Sequence, residues 1–163
     1  MYTVGIITSS DKGYAGERED KSGELVRELV EDAGFTVVKQ IILPDDREML
    51  ASEFKLMCDE LKVNLVLSTG GTGFSKRDIT PEATKDILER EAPGICEAIR
   101  MYSMQITKRA MLSRAVSGIR KDTLIVNLPG SPKACKEALD YVLDDIKHGI
   151  DILLGTSKEC ARK

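Results

Sequence analysis

At 163 residues and 18.0 kDa the chain is long enough for one domain with a real core and too short for two ordinary ones. With 42% hydrophobic and 31% charged residues the composition is globular, and a net charge of −3 excludes wholesale nucleic-acid binding. The sequence enters a strand almost at once, without a cationic and apolar leader, and no apolar run approaches the roughly 18 residues of a membrane span; a soluble, cytoplasmic protein is expected.

Short apolar runs alternate with helical periodicities, the pattern of a mostly parallel sheet flanked by helices on both faces, in one α/β domain covering 1–163. TVGIITS (3–9) reads as the first strand. From Asp20, Leu25, Val26, Leu29, Val30 and Ala33 recur at helical spacing, and Gly34 supplies a stop. FTVVKQIIL (35–43) is β-branched and strand-like. Leu50, Phe54, Met57, Cys58 and Leu61 mark one face of the next helix. VNLVLST (63–69) suits a strand buried on both sides of a parallel sheet. Thr80 and Pro81 have the chemistry of an N-cap and first helical residue, predicting a helix through about Glu91. Pro93 opens another, carrying Ile95, Ile99, Tyr102 and Ile106. DTLIVNL (122–128) is a further buried strand, and a long helix follows from Ser131 to Lys147 with Ala138, Leu139, Val142 and Ile146 inward.

If the four strands are parallel, their C-terminal ends bring SSD (9–11), PDD (44–46), TGGTG (69–73) and NLPGSP (127–132) to one rim, where open α/β sheets bind ligands. Three glycines within Gly70–Gly73 allow an anion to approach the backbone closely, although the Gly-Lys-Ser/Thr ending of a P-loop is missing. Ser131 and Pro132 begin a helix whose amides suit phosphate. Asp45 and Asp78 are ordinary turn residues singly; together beside such amides they suggest a hard-cation site of the kind magnesium uses, with substrate phosphates completing the shell. Lys76 and Arg77 stand ready to offset phosphate charge. The mixed run Glu17-Arg18-Glu19-Asp20-Lys21 reads as solvated surface. Cys58, Cys96, Cys135 and Cys160 are widely spaced and read as structural, and His148 reads as a cation at a helix C-terminus. No Ser-His-Asp set and no GxGxxG after the first strand are present.

TGGTGFSKRDITPEAT (69–84), AMLSRAVSGIR (110–120), LIVNLPGSPKA (124–134) and TSSDKGYAGEREDKSG (8–23) together resemble the MogA/MoaB family of molybdenum-cofactor biosynthesis and the G domain of gephyrin, over essentially the whole chain. The resemblance implies a homo-oligomer, usually a trimer or a hexamer on the MoaB side, that adenylylates molybdopterin with Mg-ATP. It places the essential carboxylates on Asp45 and Asp78, and the pterin-side serines on Ser113 and Ser103. Gly70, Gly71, Thr72 and Gly73, with Asn127, Pro129, Gly130 and Ser131, would line the nucleotide and pterin-phosphate pockets. Two other readings stay open: a MoaB-like protein that binds molybdopterin without efficient transfer, and a partner-binding scaffold. The helix at 95–106 serves equally as core or as subunit contact.

Overall fold

The structure, a computed structural model, describes residues 1–157, so Cys160 lies outside the described residues. Six strands form one sheet among them: β1 (Thr3–Ser9), β2 (Thr36–Leu43), β3 (Leu65–Thr69), β4 (Arg90–Glu91), β5 (Ser117–Arg120) and β6 (Thr123–Leu128), in the order β2-β1-β3-β6-β5-β4. β1, β2, β3 and β6 are parallel, as the sequence predicts; β5 and β4 extend the edge beside β6 antiparallel. The helices are α1 (Asp11–Tyr14), α2 (Lys21–Asp32), α3 (Arg47–Lys55), α4 (Thr80–Lys85), α5 (Gly94–Met104) and α6 (Pro132–Leu153).

Strand periodicity explains the three layers. Ile6, Leu67 and Val126 are in register across β1, β3 and β6 and share one buried cluster, with α2, α5 and α6 packed over it. An adjacent residue on each strand turns to the opposite face, where Ile7, Val66 and Ile125 meet Leu50 and Phe54 of α3 and Ala83 of α4. A strand that is apolar on both faces must be covered on both, which is why β3 is buried throughout. Side-chain caps set where three helices begin: Asp20 Oδ1 accepts from the Gly23 amide at 2.9 Å, Asp46 Oδ1 from Met49 at 2.9 Å, and Ser131 Oγ from Ala134 at 3.2 Å.

Several predicted boundaries move. The helix expected through Glu91 stops at Lys85, and its N-cap is Ile79 without a side-chain cap; Thr80 is instead the first helical residue and fully buried. Arg90 and Glu91 pair with Ile119 and Gly118, because tertiary strand pairing outweighs local helix preference over so short a segment. α3 passes into a π-turn at Leu56–Glu60, which rotates Leu61 off the buried stripe to 38% exposure. Ile106 lies beyond α5 and is exposed. α6 runs six residues past the expected Lys147 because Ile150 is buried and anchors another turn, so His148 lies inside the helix and is no C-terminal cation.

From β1 the chain moves outward to β2 and then returns to β3 on β1's other side. The crevice between the C-terminal ends of β1 and β3 is therefore the switch point of the sheet.

Candidate functional site

A cleft of about 930 Å³ opens at that switch point. Its wall combines the end of β1 (Thr8 to Asp11), the loop after β2 (Asp45), the glycine turn after β3 (Gly70, Gly71, Asp78) and the first residues of α2 and α6. Both predicted carboxylates face the same turn. A Cβ on Gly71 would stand 3.1 Å from Asp45 Oδ1, and a Cβ on Gly73, two residues on, would stand 3.0 Å from Asp78 Oδ2. Gly70 and Gly71 have φ of +88° and +70°, left-handed values that other residues adopt only with strain.

Each aspartate is oriented locally. Asp45 Oδ1 accepts from the Ser9 hydroxyl at 2.7 Å and its Oδ2 from the Asp11 amide at 3.2 Å, while the Asp45 amide donates to Asp11 Oδ1 at 3.0 Å. Asp78 Oδ2 accepts from the Ser75 amide at 3.0 Å, closing the turn that bears it. Arg77, expected to neutralise phosphate, forks onto Asp11 with two bonds of 2.9 Å. That pair, helped by the Asp45 amide, holds the Asp11 carboxyl down at a pKa of about 2. Lys76 is exposed. The donor set fits a magnesium ion: two carboxylates flank one turn in a cleft with room for more ligands. Among the described residues no cluster of three His, Cys, Asp or Glu forms a protein-only cage.

The remaining predicted residues separate into two places. Gly70, Gly71 and Ser131 line the large cleft, whereas Thr72, Ser103, Ser113, Asn127 and Pro129 line a second cavity of about 260 Å³; Gly130 lines both. Gly73, expected to line the pocket, lines neither cavity and stands beside the Asp78 carboxylate instead. The Ser103 hydroxyl is buried without a hydrogen-bond partner at the edge of this cavity, an arrangement that leaves a donor and acceptor for a ligand. Asn127 is fully buried, and its amide donates to Ser68 Oγ at 2.9 Å and Thr84 Oγ1 at 3.0 Å and accepts from the Val116 amide at 3.1 Å, so it shapes the cavity as a bolt between segments.

Sequence reasoning missed Ser9 and Asp11 as partners of Asp45, and Arg100 beside Ser103, which donates to the Ala115 carbonyl at 2.7 Å. The rim sequence SSD contained the first two; only their pairing was invisible. The mixed-charge run is exposed except for the half-buried Asp20, yet Arg18, Glu19, Asp20 and Lys21 form part of the cleft wall. Cys58, Cys96 and Cys135 are buried and free, and burial pushes Cys58 and Cys135 up to about 11, so these thiols are inert at neutral pH.

Comparison with known proteins gives a consistent picture. The family described as "Probable molybdopterin binding domain" matches residues 5–148. A Helicobacter pylori protein named molybdopterin adenylyltransferase is 38% identical over 162 residues, covering 98% of this chain and 92% of the relative. The solved structure of the molybdopterin biosynthesis enzyme MoaB from Thermus thermophilus is 43% identical, with a TM-score of 0.89 over 95% of this chain and 98% of the other. That of the molybdopterin biosynthesis Mog protein from Mycobacterium ulcerans is 33% identical, with a TM-score of 0.87 over 94% and 99%.

Proposed function

The chain belongs to the molybdopterin-binding domain family of molybdenum-cofactor biosynthesis, and from that premise we propose that it is a molybdopterin adenylyltransferase, a nucleotidyltransferase using Mg-ATP. The terminal phosphate of molybdopterin would attack the α-phosphorus of ATP, forming a P–O–P bond and releasing pyrophosphate. The observation that carries the reading is the meeting of Asp45 and Asp78, from separate strand ends, on one glycine turn beside a cleft of about 930 Å³.

Two polyanions repel, so positioning and charge neutralisation are the main demands, and no protein nucleophile is needed. Asp45 and Asp78 would hold the magnesium ion, which when bound neutralises phosphate charge. Ser9 and Asp11 fix the Asp45 carboxylate in place, and the first turn of α6 gives the cleft the positive end of a helix dipole. Ser103 and Ser113, in the second cavity, would bind the pterin, with Gly130 where the two compartments meet. We further propose a homo-oligomeric state, a trimer or a hexamer, and a cytoplasmic location. Exposed Met101 and Met104 on α5, whose other face packs Cys96 and Ile99 into the core, support the former; among the described residues no helix is long and apolar enough to cross a membrane.

The test is to incubate the pure protein with molybdopterin and Mg-ATP and to look for adenylylated molybdopterin and pyrophosphate. Product formation is expected. Tight pterin binding without product would replace this reading with that of a MoaB-like binding protein.

A further inference from the structure

Arg114 joins the two compartments. Its amide donates to the Thr72 carbonyl at 2.8 Å, its Nε to the Gly73 carbonyl at 2.7 Å and its Nη2 to the Asp78 carbonyl at 3.0 Å. Nη1 grips both oxygens of Glu82 in the first turn of α4, the farther at 3.0 Å. One residue therefore spans the whole segment from the glycine turn to the helix after it. Its neighbour Ser113 lines the second cavity, while the Asp78 that Arg114 holds by its carbonyl lines the large cleft. Three acceptors in three directions need a planar fork of fixed donors; a lysine ammonium, one charge on a flexible stem, cannot reach them all.

Resting on the adenylyltransferase reading, we propose that Arg114 is a positioning residue of the transfer reaction. It sets the Asp78 carboxylate against Gly73 for the metal-bound nucleotide, and it ties that setting to the segment bearing Ser113. Loss of the fork leaves Asp78 present but loosely placed, which weakens metal capture with the carboxylate chemistry unchanged. A merely structural arginine would lower stability and leave the metal dependence alone.

The experiment compares wild type, Arg114→Lys, Glu82→Gln, Asp78→Asn and the Arg114→Lys/Asp78→Asn double variant. Each is measured for Mn²⁺ binding by electron paramagnetic resonance at fixed ATP without molybdopterin, for the Mg²⁺ concentration giving half-maximal transfer, and for thermal midpoint. For folded Arg114→Lys, both metal concentrations should rise about tenfold, the scale expected when charge-assisted hydrogen bonds are lost. In the Asp78→Asn background the same change should alter Mn²⁺ binding less than about twofold, because the two act through one group. Glu82→Gln, which loosens only the outer anchor, should give about a threefold rise. Wild-type metal dependence in folded Arg114→Lys, or full additivity with Asp78→Asn, would overturn the proposal. If Arg114→Lys does not fold, an unchanged metal dependence in Glu82→Gln overturns it equally. A wild type that makes no product would instead sink the adenylyltransferase reading.

Discussion

Replacing Gly71 with alanine tests the architecture of the cleft most directly. The residue has φ of +70°, so any side chain there carries left-handed strain of about 1–2 kcal/mol. The new methyl would overlap the buried Thr80 Oγ1, well inside 3.0 Å, and press on Asp45 Oδ1 and Ser9 Oγ at 3.1 Å each. Relieving such crowding in a packed site costs about 1–3 kcal/mol. Together the terms predict a loss of about 2–5 kcal/mol, large beside the roughly 5–15 kcal/mol that holds a domain folded. In a domain of this size that lowers the melting temperature by about 5–15 °C.

The same methyl also pushes on the oxygen that Ser9 holds at 2.7 Å, so the magnesium concentration for half-maximal transfer should rise in the fraction that remains folded. Urea unfolding with an unchanged m-value, together with a magnesium titration, reads both effects. Gly149→Ala is the internal control: a Cβ at that position inside α6 meets nothing within 4 Å, so helix propensity alone should stabilise the chain by about 0.5–1 kcal/mol. Gly71→Ala within about 0.5 kcal/mol of wild type, with the same metal requirement, would refute the packing argument and the placement of Asp45 against the turn.

Asp45→Ala and Asp78→Ala should each lower transfer at least about 10²-fold while molybdopterin still binds, checked by product assay and equilibrium binding; normal turnover in both would remove the metal site. Ser103→Ala should leave the free protein as stable as wild type or slightly more so, because the lost hydroxyl has no partner, yet weaken molybdopterin binding about tenfold. Ser113→Ala should weaken the same binding, and unchanged affinity in both serine variants would empty the second cavity of its role. Asp11 titrates at about 2 in the folded chain against an ordinary 3.8, so its contribution is complete above about pH 4 and is lost as the pH falls toward 2. The stability gap between wild type and Asp11→Asn should therefore stay constant from pH 7 to 4 and narrow below; a gap that widens on acidification would contradict the Arg77 latch.

The parts of the fold that were legible are those whose signal is local. β1, β3 and β6 are continuous apolar runs, and α2, α5 and α6 carry stripes at helical spacing; each element can be read from its own residues. β4 and β5 were not, because two and four residues cannot show a period and their strand character arises only from pairing with one another and with β6. The overlong α4 has the same cause: Arg90 and Glu91 are acceptable helix residues until Gly118 and Ile119 offer them backbone partners. α6 runs past the expected Lys147 because Ile150 is buried, a tertiary contact that anchors another turn.

The site divides along the same line. Asp45, Asp78 and the glycines were legible because strand ends gather at one rim in any parallel sheet, so position alone brings them together. What sequence could not show is how they are held. Asp11 and Arg77 lie 66 residues apart, and Arg114 reaches back 41 residues to Gly73, distances at which no spacing rule operates. The division into two compartments is equally non-local: Gly130 lines both, and a Cβ on it would meet Gly70 Cα at 3.6 Å, so two glycines from different strand ends lie in close approach where the compartments meet. On the proposed reading this is what joining two anionic substrates requires. Each compartment would bind its own partner against its own polar groups, and the strand-end backbone the two share is fixed by the bonds that Ser22 and Thr69 make to the carbonyls of Gly130 and Pro129.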